Sequence, residues 1–248
     1  MYSLYDSQAR FQNVTSGSFL SQDPLSTKFP ETTPYIYCGG DPINRADPDG
    51  RMIDDYFNYN GEYLGTDNSS TDHVRIIRQD TWNMLASIEG INAISLQSSS
   101  ELFSDAQMSD ESVLNVYDYY NMTGERIVPT HDNSAVMTTN IKYATNGLNP
   151  EIIIRIQEIF INVNINYRKS GRHNNSNNII NIFEHEYDHA FKARQSPQEY
   201  HDTPSPQREL SAIIRQISTD TFTKTTKEHK LIVLRYAIDA IKNLFRNN

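Results

Sequence analysis

The sequence predicts an α+β protein, and three observations carry that prediction. Residues 161–167, Ile-Asn-Val-Asn-Ile-Asn-Tyr, alternate apolar and polar side chains, the period of a half-buried strand. From residue 178 onward the apolar residues recur at three and four instead, the period of a helix. The first 50 residues are rich in Tyr, Pro, Asp and Gly, with turn signals at Asp23-Pro24, Asp41-Pro42 and Asp47-Pro48-Asp49-Gly50. That texture reads as short strands and turns with little core of their own.

Composition narrows the function classes. A chain of 248 residues has room for one domain with an extra module, or for two small domains. No stretch approaches the ~20 apolar residues of a membrane span. The start, Met1-Tyr2-Ser3-Leu4-Tyr5-Asp6, has neither a basic nor an apolar region of a signal peptide. The expectation is a product made in the cytoplasm that, if exported, leaves by a specialised secretion system. Cys38 is the single cysteine, which excludes an internal disulfide and a Cys-rich zinc site. Any metal must then be held by His and carboxylates. The net charge of −9 is uneven. Residues 1–164 hold 9 Lys and Arg against 22 Asp and Glu, and residues 165–248 hold 13 against 9. The acidic whole argues against a nucleic-acid binder, while the basic last third keeps that class open.

Taken in order, residues 51–75 read as a hairpin or linker, with an Asn60-Gly61 turn between aromatic arms and a loose polar run at 67–72. Asp80 opens a short helix over 80–88, and residues 89–149 mix helix and strand signals. Pro150-Glu151 opens a helical stretch through about Phe160. The strand 161–167 follows, and then a polar loop at 172–178 that caps the next helix, 178–194. Residues 195–206 read as a loop with Pro197, Pro204 and Pro206. A helix from Ser205-Pro206 carries Leu210, Ile213, Ile214 and Ile217 on one face. A last helix spans 226–246, with Thr225 and Glu228 as its capping box and Leu231, Leu234, Ile238, Ile241 and Phe245 as its core stripe.

The chemistry concentrates at His185-Glu186-Tyr187-Asp188-His189, the pattern H-E-x-x-H. Two histidines four apart share a helix face, so both imidazoles can reach one tetrahedral zinc. A Glu beside the first His stands next to the metal without filling its shell, where it can take a proton from water. At ~100° per residue, Glu186 falls on the helix's apolar arc with Ile179, Ile182, Phe183, Ala190 and Ala193. A lone carboxylate there is costly unless it has a task. Asn181, Glu184, Asp188 and Lys192 take the opposite side, a solvated face; Asp188 can alternatively orient a ligand histidine. A catalytic zinc needs a third protein ligand. Glu209, twenty residues after His189, stands near the start of the next helix and is the strongest candidate, with His201 and Asp202 in the loop as competitors. Tyr200, His201 and Arg208 are candidate oxyanion donors. The plain alternative is a pair of surface histidines with no shared ligand, and a first-turn Glu209 favoured by the helix dipole.

His185, Glu186 and His189, followed by Glu209-Leu210-Ser211-Ala212, resemble the gluzincins, the thermolysin-like zinc peptidases. The likeness covers about residues 161–217. It implies a zincin-like domain over 76–248, a zinc ion held by His185, His189 and Glu209, and Glu186 as general base in peptide hydrolysis. By analogy the strand 161–167 would be the edge strand that binds substrate by β-addition. The longer H-E-x-x-H-x-x-G-x-x-H motif is absent, since Lys192 and Gln195 stand at its last positions.

Residues 1–50 carry a second resemblance. Tyr5-Asp6, Ala9-Arg10-Phe11, Phe19-Leu20-Ser21-Gln22-Asp23-Pro24-Leu25, Pro34-Tyr35, Asp41-Pro42-Ile43-Asn44 and Asp47-Pro48-Asp49-Gly50 are similar, in order, to the end of an Rhs/YD-repeat core. The segment departs from that family at Gln12-Asn13-Val14, where Tyr-Asp-Pro is usual. The resemblance implies a boundary near Gly50, a core remnant before it and a polymorphic toxin module after it. It further implies bacterial competition as the role, a cognate immunity protein as partner, and a protein or peptide as substrate. Two other classes stay open: an Rhs-associated nuclease using His173-Asn174-Asn175, and a catalytically inactive binding or remnant module.

Overall fold

The computed structural model describes residues 4–6, 11–13, 18–20, 54–67, 71–88, 93–131 and 135–246. The turn motifs from Asp23 to Gly50, and Cys38, lie outside the described residues. The mixed α+β class holds. Three short strands, β1 (Leu4–Asp6), β2 (Phe11–Asn13) and β3 (Ser18–Phe19), form an antiparallel sheet in the order β1-β2-β3.

The expected hairpin is β4 (Asp55–Phe57) and β5 (Tyr63–Thr66), paired antiparallel. Its turn is held by Asn58, whose Oδ1 accepts from the backbone N–H of Asn60 and Glu62 at 2.9 and 3.0 Å. Gly61 sits there at φ 79°, and a Cβ on it would lie 2.1 Å from the carbonyl oxygen of Ser112. Both the left-handed backbone and the close approach demand glycine. Gly61→Ala is therefore expected to cost about 2–4 kcal/mol and lower Tm by roughly 5–10 °C. An unchanged melting curve would show that the turn relaxes freely.

The hairpin is more than a linker. Strand β6 (Val74–Ile76) runs parallel to β4, with helices α1 (Gln79–Ala86) and α2 (Ala93–Ser98) following it. Strand β7 (Glu101–Leu102) completes a sheet ordered β5-β4-β6-β7. Phe57, Val74 and Ile76 from this sheet enter the main core. The polar run 67–72 is anchored at its start. Asp67 is buried and accepts from the Tyr56 hydroxyl at 2.8 Å and the Asp54 amide at 3.1 Å. Helix α3 (Asp110–Tyr120), capped by Ser109, adds Val113, Val116, Tyr117 and Tyr120 to the core.

The next sheet corrects the sequence reading. Strands β8 (Arg126–Thr130), β9 (Met137–Thr145) and β10 (Ile153–Asn164) form a sheet ordered β8-β10-β9. The stretch expected as a helix to Phe160 is thus the first half of β10. Its isoleucines favour a pleated surface, and antiparallel pairing with β9 decides the matter. Register shifts at Ile153/Arg155 and Ile156/Glu158 break the alternation that would have betrayed the strand. The strand expected over 161–167 instead ends at Asn164, and a 3-10 turn over Ile165–Ser170 follows. Because β10 is central, the free edge of this sheet on the side of the cavity described below is β9.

A second 3-10 turn, Arg172–Asn174, leads into α4 (Ser176–Gln195), capped by the Asn175 side chain. The supposed loop that follows contains α5 (Pro197–Asp202), with Pro197 at its first turn, where a missing N–H costs nothing. Helix α6 (Ser205–Ile217) begins where expected, and α7 (Asp220–Lys224) is a short element the sequence reading missed. Helix α8 (Lys227–Arg246) is capped by Thr226, whose Oγ1 accepts from the His229 N–H at 3.2 Å, one residue beyond the expected Thr225. Among the described residues, no helix is long and apolar enough to cross a membrane.

Two expected faces are reversed. The stripe Leu231, Leu234, Ile238, Ile241 and Phe245 is exposed, and α8 packs through Val233, Ala237 and Ala240 against Ile213 of α6. Small residues let the two helices approach closely, so the bulky stripe is left outside. On α4, Asn181 and Asp188 are buried rather than solvated, because α6, α7 and α8 cover that side. Asn181 donates to the Gln216 carbonyl and accepts from Gln216 and His229, which satisfies its polar atoms.

Candidate metal centre

Helix α4 is covered on both sides, with Ile179, Ile180 and Phe183 in the main core on one and α6 on the other. His185, Glu186 and His189 therefore stand inside the protein. His185 and His189 are 8% and 6% exposed, which removes the reading of two surface histidines. Their Nε2 atoms lie 3.2 Å apart. Glu209, on the first half of α6, places Oε2 3.3 Å from His185 Nε2 and Oε1 3.5 Å from His189 Nε2. These three residues form a group able to hold a metal ion. Ligand atoms this close together can share one small ion.

The electrostatics suit a cation. Burial alone would lift the Glu209 carboxyl, but the two histidines hold it well below the usual carboxylate range. Burial would likewise lower His185, yet the hydrogen bond to Glu209 and the charges of Glu186 and Glu209 raise it. The ligand set is braced from outside. The Tyr200 hydroxyl lies 2.9 Å from His189 Nδ1, which orients the ring with Nε2 toward His185 and Glu209. The Tyr236 hydroxyl donates to Glu209 Oε2 at 2.9 Å.

Glu186 is 4% exposed, on the apolar arc where the helical wheel puts it. Its Oε2 accepts from both the backbone N–H and the Oγ1 of Thr139 on β9, each at 2.7 Å. The edge strand thus holds the carboxylate in place, and both bonds fall on one oxygen. A cavity of about 550 Å³ opens over His185, Glu186, His189 and Glu209, with Thr139, Tyr143, Arg208 and Tyr236 in its walls.

The remaining candidates fall elsewhere. His201 and Asp202 pair with each other at 3.1 Å in α5 and do not join the group. Asp188 pairs with Lys192 at 2.9 Å and accepts from Ser211 at 3.1 Å, so it braces α6. Glu184 pairs with Arg215 at 3.3 Å and is not a freely solvated charge. Of the three oxyanion candidates, Tyr200 is engaged with His189 and His201 with Asp202, while Arg208 lies over the Tyr200 ring and lines the cavity. Tyr143, Thr139 and Tyr236 were missed. The first two lie in a stretch whose local signals conflict, and Tyr236 offered only its place as the one tyrosine of the last helix. The Tyr143 hydroxyl is buried without a hydrogen-bond partner among the described residues.

Two other histidines in the cavity wall give the protein an acid sensitivity. Burial, with His229 and Arg172 nearby, pushes His173 down to about 3, and burial with Arg172 pushes His229 to about 4. Unfolded, both titrate near ~6.5. The unfolded state therefore binds more protons below that value, and stability falls as pH falls from about 6.5 toward 4. His185, raised, contributes in the opposite sense, being stabilising at low pH. In a His185→Ala background, the loss should approach about 2.7 kcal/mol per pH unit near pH 5. Denaturant melts at pH 7 and pH 5 measure it, and equal stabilities would refute the buried neutral pair.

No family model matches the chain, and comparison with the curated proteins and the solved structures likewise produced no match.

Proposed function

We propose that this chain is a zinc-dependent peptidase of gluzincin-like type, the toxin module of an Rhs-type polymorphic toxin, with residues 1–50 as a remnant of its core. The observation that carries the reading is the convergence of His185 Nε2, His189 Nε2 and the Glu209 carboxylate beside a buried Glu186. Among the described residues this is the one group of possible metal ligands, and His173, the residue a nuclease reading needs, is not in it.

Bound zinc would polarise the scissile carbonyl and make water acidic enough to be deprotonated near neutral pH. The chain's own residues do the rest. Glu186 takes the proton of the attacking water and passes it to the leaving nitrogen. Thr139 keeps that carboxylate aimed by occupying its other oxygen. Arg208 is the donor in the cavity wall for the charge that develops on the carbonyl oxygen. An extended peptide can lie along β9, the edge strand that lines the cavity. Water adds across one peptide bond and yields a carboxylic acid and an amine. A cognate immunity protein would act by covering this cavity.

The first test is metal content by elemental mass spectrometry after incubation with zinc. One zinc per chain, with hydrolysis of an unstructured protein such as casein, supports the reading. No bound metal overturns it and leaves the binding or remnant module.

A further inference from the structure

Helix α8 turns one side inward and leaves the other without a neighbour among the described residues. Val233, Ala237 and Ala240 meet α6, and His229 and Tyr236 line the cavity. On the outer side Leu231, Leu234, Ile238, Ile241 and Phe245 are between 41% and 78% exposed. Their spacing runs three, four, three, four, the a and d positions of successive heptads, over about 21 Å of helix. At about 100° per residue the five stay within an arc of roughly 80°, a narrow seam rather than a broad apolar face. A 3.5-residue repeat is the one that keeps a seam against a second helix.

The flanks of the seam are basic. Lys227 continues its d row by one heptad, Arg235 and Lys242 stand at e, and Lys230 stands at g. Lys227 and Arg235 are exposed and form no ion pair among the described residues. The acids nearby already face other cations: Glu228 lies 4.0 Å from Arg172, and Asp239 lies 3.3 Å from Lys242. The outer face thus carries an apolar row with uncompensated positive charge beside it. A second copy of this chain complements it poorly. Parallel pairing sets Lys230 beside the copy's Arg235. Antiparallel pairing joins Glu228 to Lys242 but sets Arg235 against Arg235. A lipid surface would use the charge but takes no account of a 3.5-residue repeat.

We propose that the outer face of α8 docks an acidic amphipathic helix of another protein, with Leu or Ile at its a and d positions and Asp or Glu at its e and g positions. His229 and Tyr236 fall roughly 180° from the centre of the seam, so the docked helix lies behind the cavity wall and leaves the metal group uncovered. No residue of the seam belongs to that group, and the surface stands whether or not the chain is a peptidase.

The test uses the full chain and two labelled synthetic peptides of three heptads, each with Leu and Ile at a and d. One carries Glu at e and g, the other Lys. Fluorescence anisotropy at low salt should show the acidic peptide binding in the micromolar range, at least tenfold tighter than the basic one. Ile238→Asp, at an exposed position, should abolish that binding and leave the melting curve unchanged. Lys227→Glu with Arg235→Glu, which breaks no ion pair among the described residues, should erase the preference. Binding of neither peptide, equal or tighter binding of the basic one, or binding that survives Ile238→Asp overturns the proposal. So does a stable dimer of the chain alone that Ile238→Asp dissociates, which gives the seam to a second copy. Binding to phosphatidylserine vesicles without binding to the acidic peptide gives it to a membrane. Zinc content and casein hydrolysis are measured on the same samples. Their absence throughout would sink the peptidase and leave the docking surface standing.

Discussion

Glu186→Gln is expected to lower peptide hydrolysis about 100- to 10,000-fold while leaving one zinc per chain. The substitution is nearly isosteric. The amide oxygen can accept the same two hydrogen bonds from Thr139, so the side chain keeps its place between α4 and β9. What is lost is the basic oxygen that takes the proton. The loss should fall on kcat rather than KM, because a group that moves a proton in the transition state adds little to ground-state binding. Kinetics on a fluorogenic peptide, with metal measured in the same sample, make the check. A variant at wild-type rate would refute Glu186 as the base, and one that loses zinc would make Glu186 part of the metal site instead.

Glu209→Ala and His185→Ala are each expected to abolish stoichiometric zinc binding. His185, His189 and Glu209 form a group that could hold a metal, and on the proposed reading two of them do not suffice. With zinc at about a hundredfold its Kd, the wild-type chain should gain roughly 2.7 kcal/mol. For a chain of this size that is about 5–10 °C in Tm, and the variants should not respond. Glu209→Ala carries the sharper question, since in the sequence Glu209 competes with His201 and Asp202 and rests on spacing, its place near a helix start and the gluzincin likeness. If Glu209→Ala keeps its zinc, the third ligand lies elsewhere and the gluzincin likeness loses its distinguishing residue.

The α4 site was legible because its logic is local. Helical periodicity puts His185 and His189 on one face and Glu186 on the apolar arc, and neither depends on what packs against the helix. Glu209 was reachable for a related reason, since a short connection ties α4 and α6 into neighbours. Residues whose roles depend on distant segments were not. Thr139 meets Glu186 across 47 positions, and Tyr236 meets Glu209 across 27. His173 reads as part of a polar loop, and its partner Tyr117 lies 56 residues upstream.

The same division runs through the fold. The sequence by itself determined the α+β class, the hairpin about Gly61, and the approximate ends of α4, α6 and α8, because capping, turn chemistry and helix period act within a few residues. Tertiary structure alone decided that the segment before Phe160 is a strand, since its β propensity prevails only when β9 pairs with it. It also decided which face of α8 is buried. Hydrophobicity marks Leu231, Leu234, Ile238, Ile241 and Phe245 as the natural core stripe, but close helix packing selects the small face of Val233, Ala237 and Ala240. Periodicity reports that a helix has faces; only the neighbouring helix determines which of them meets it.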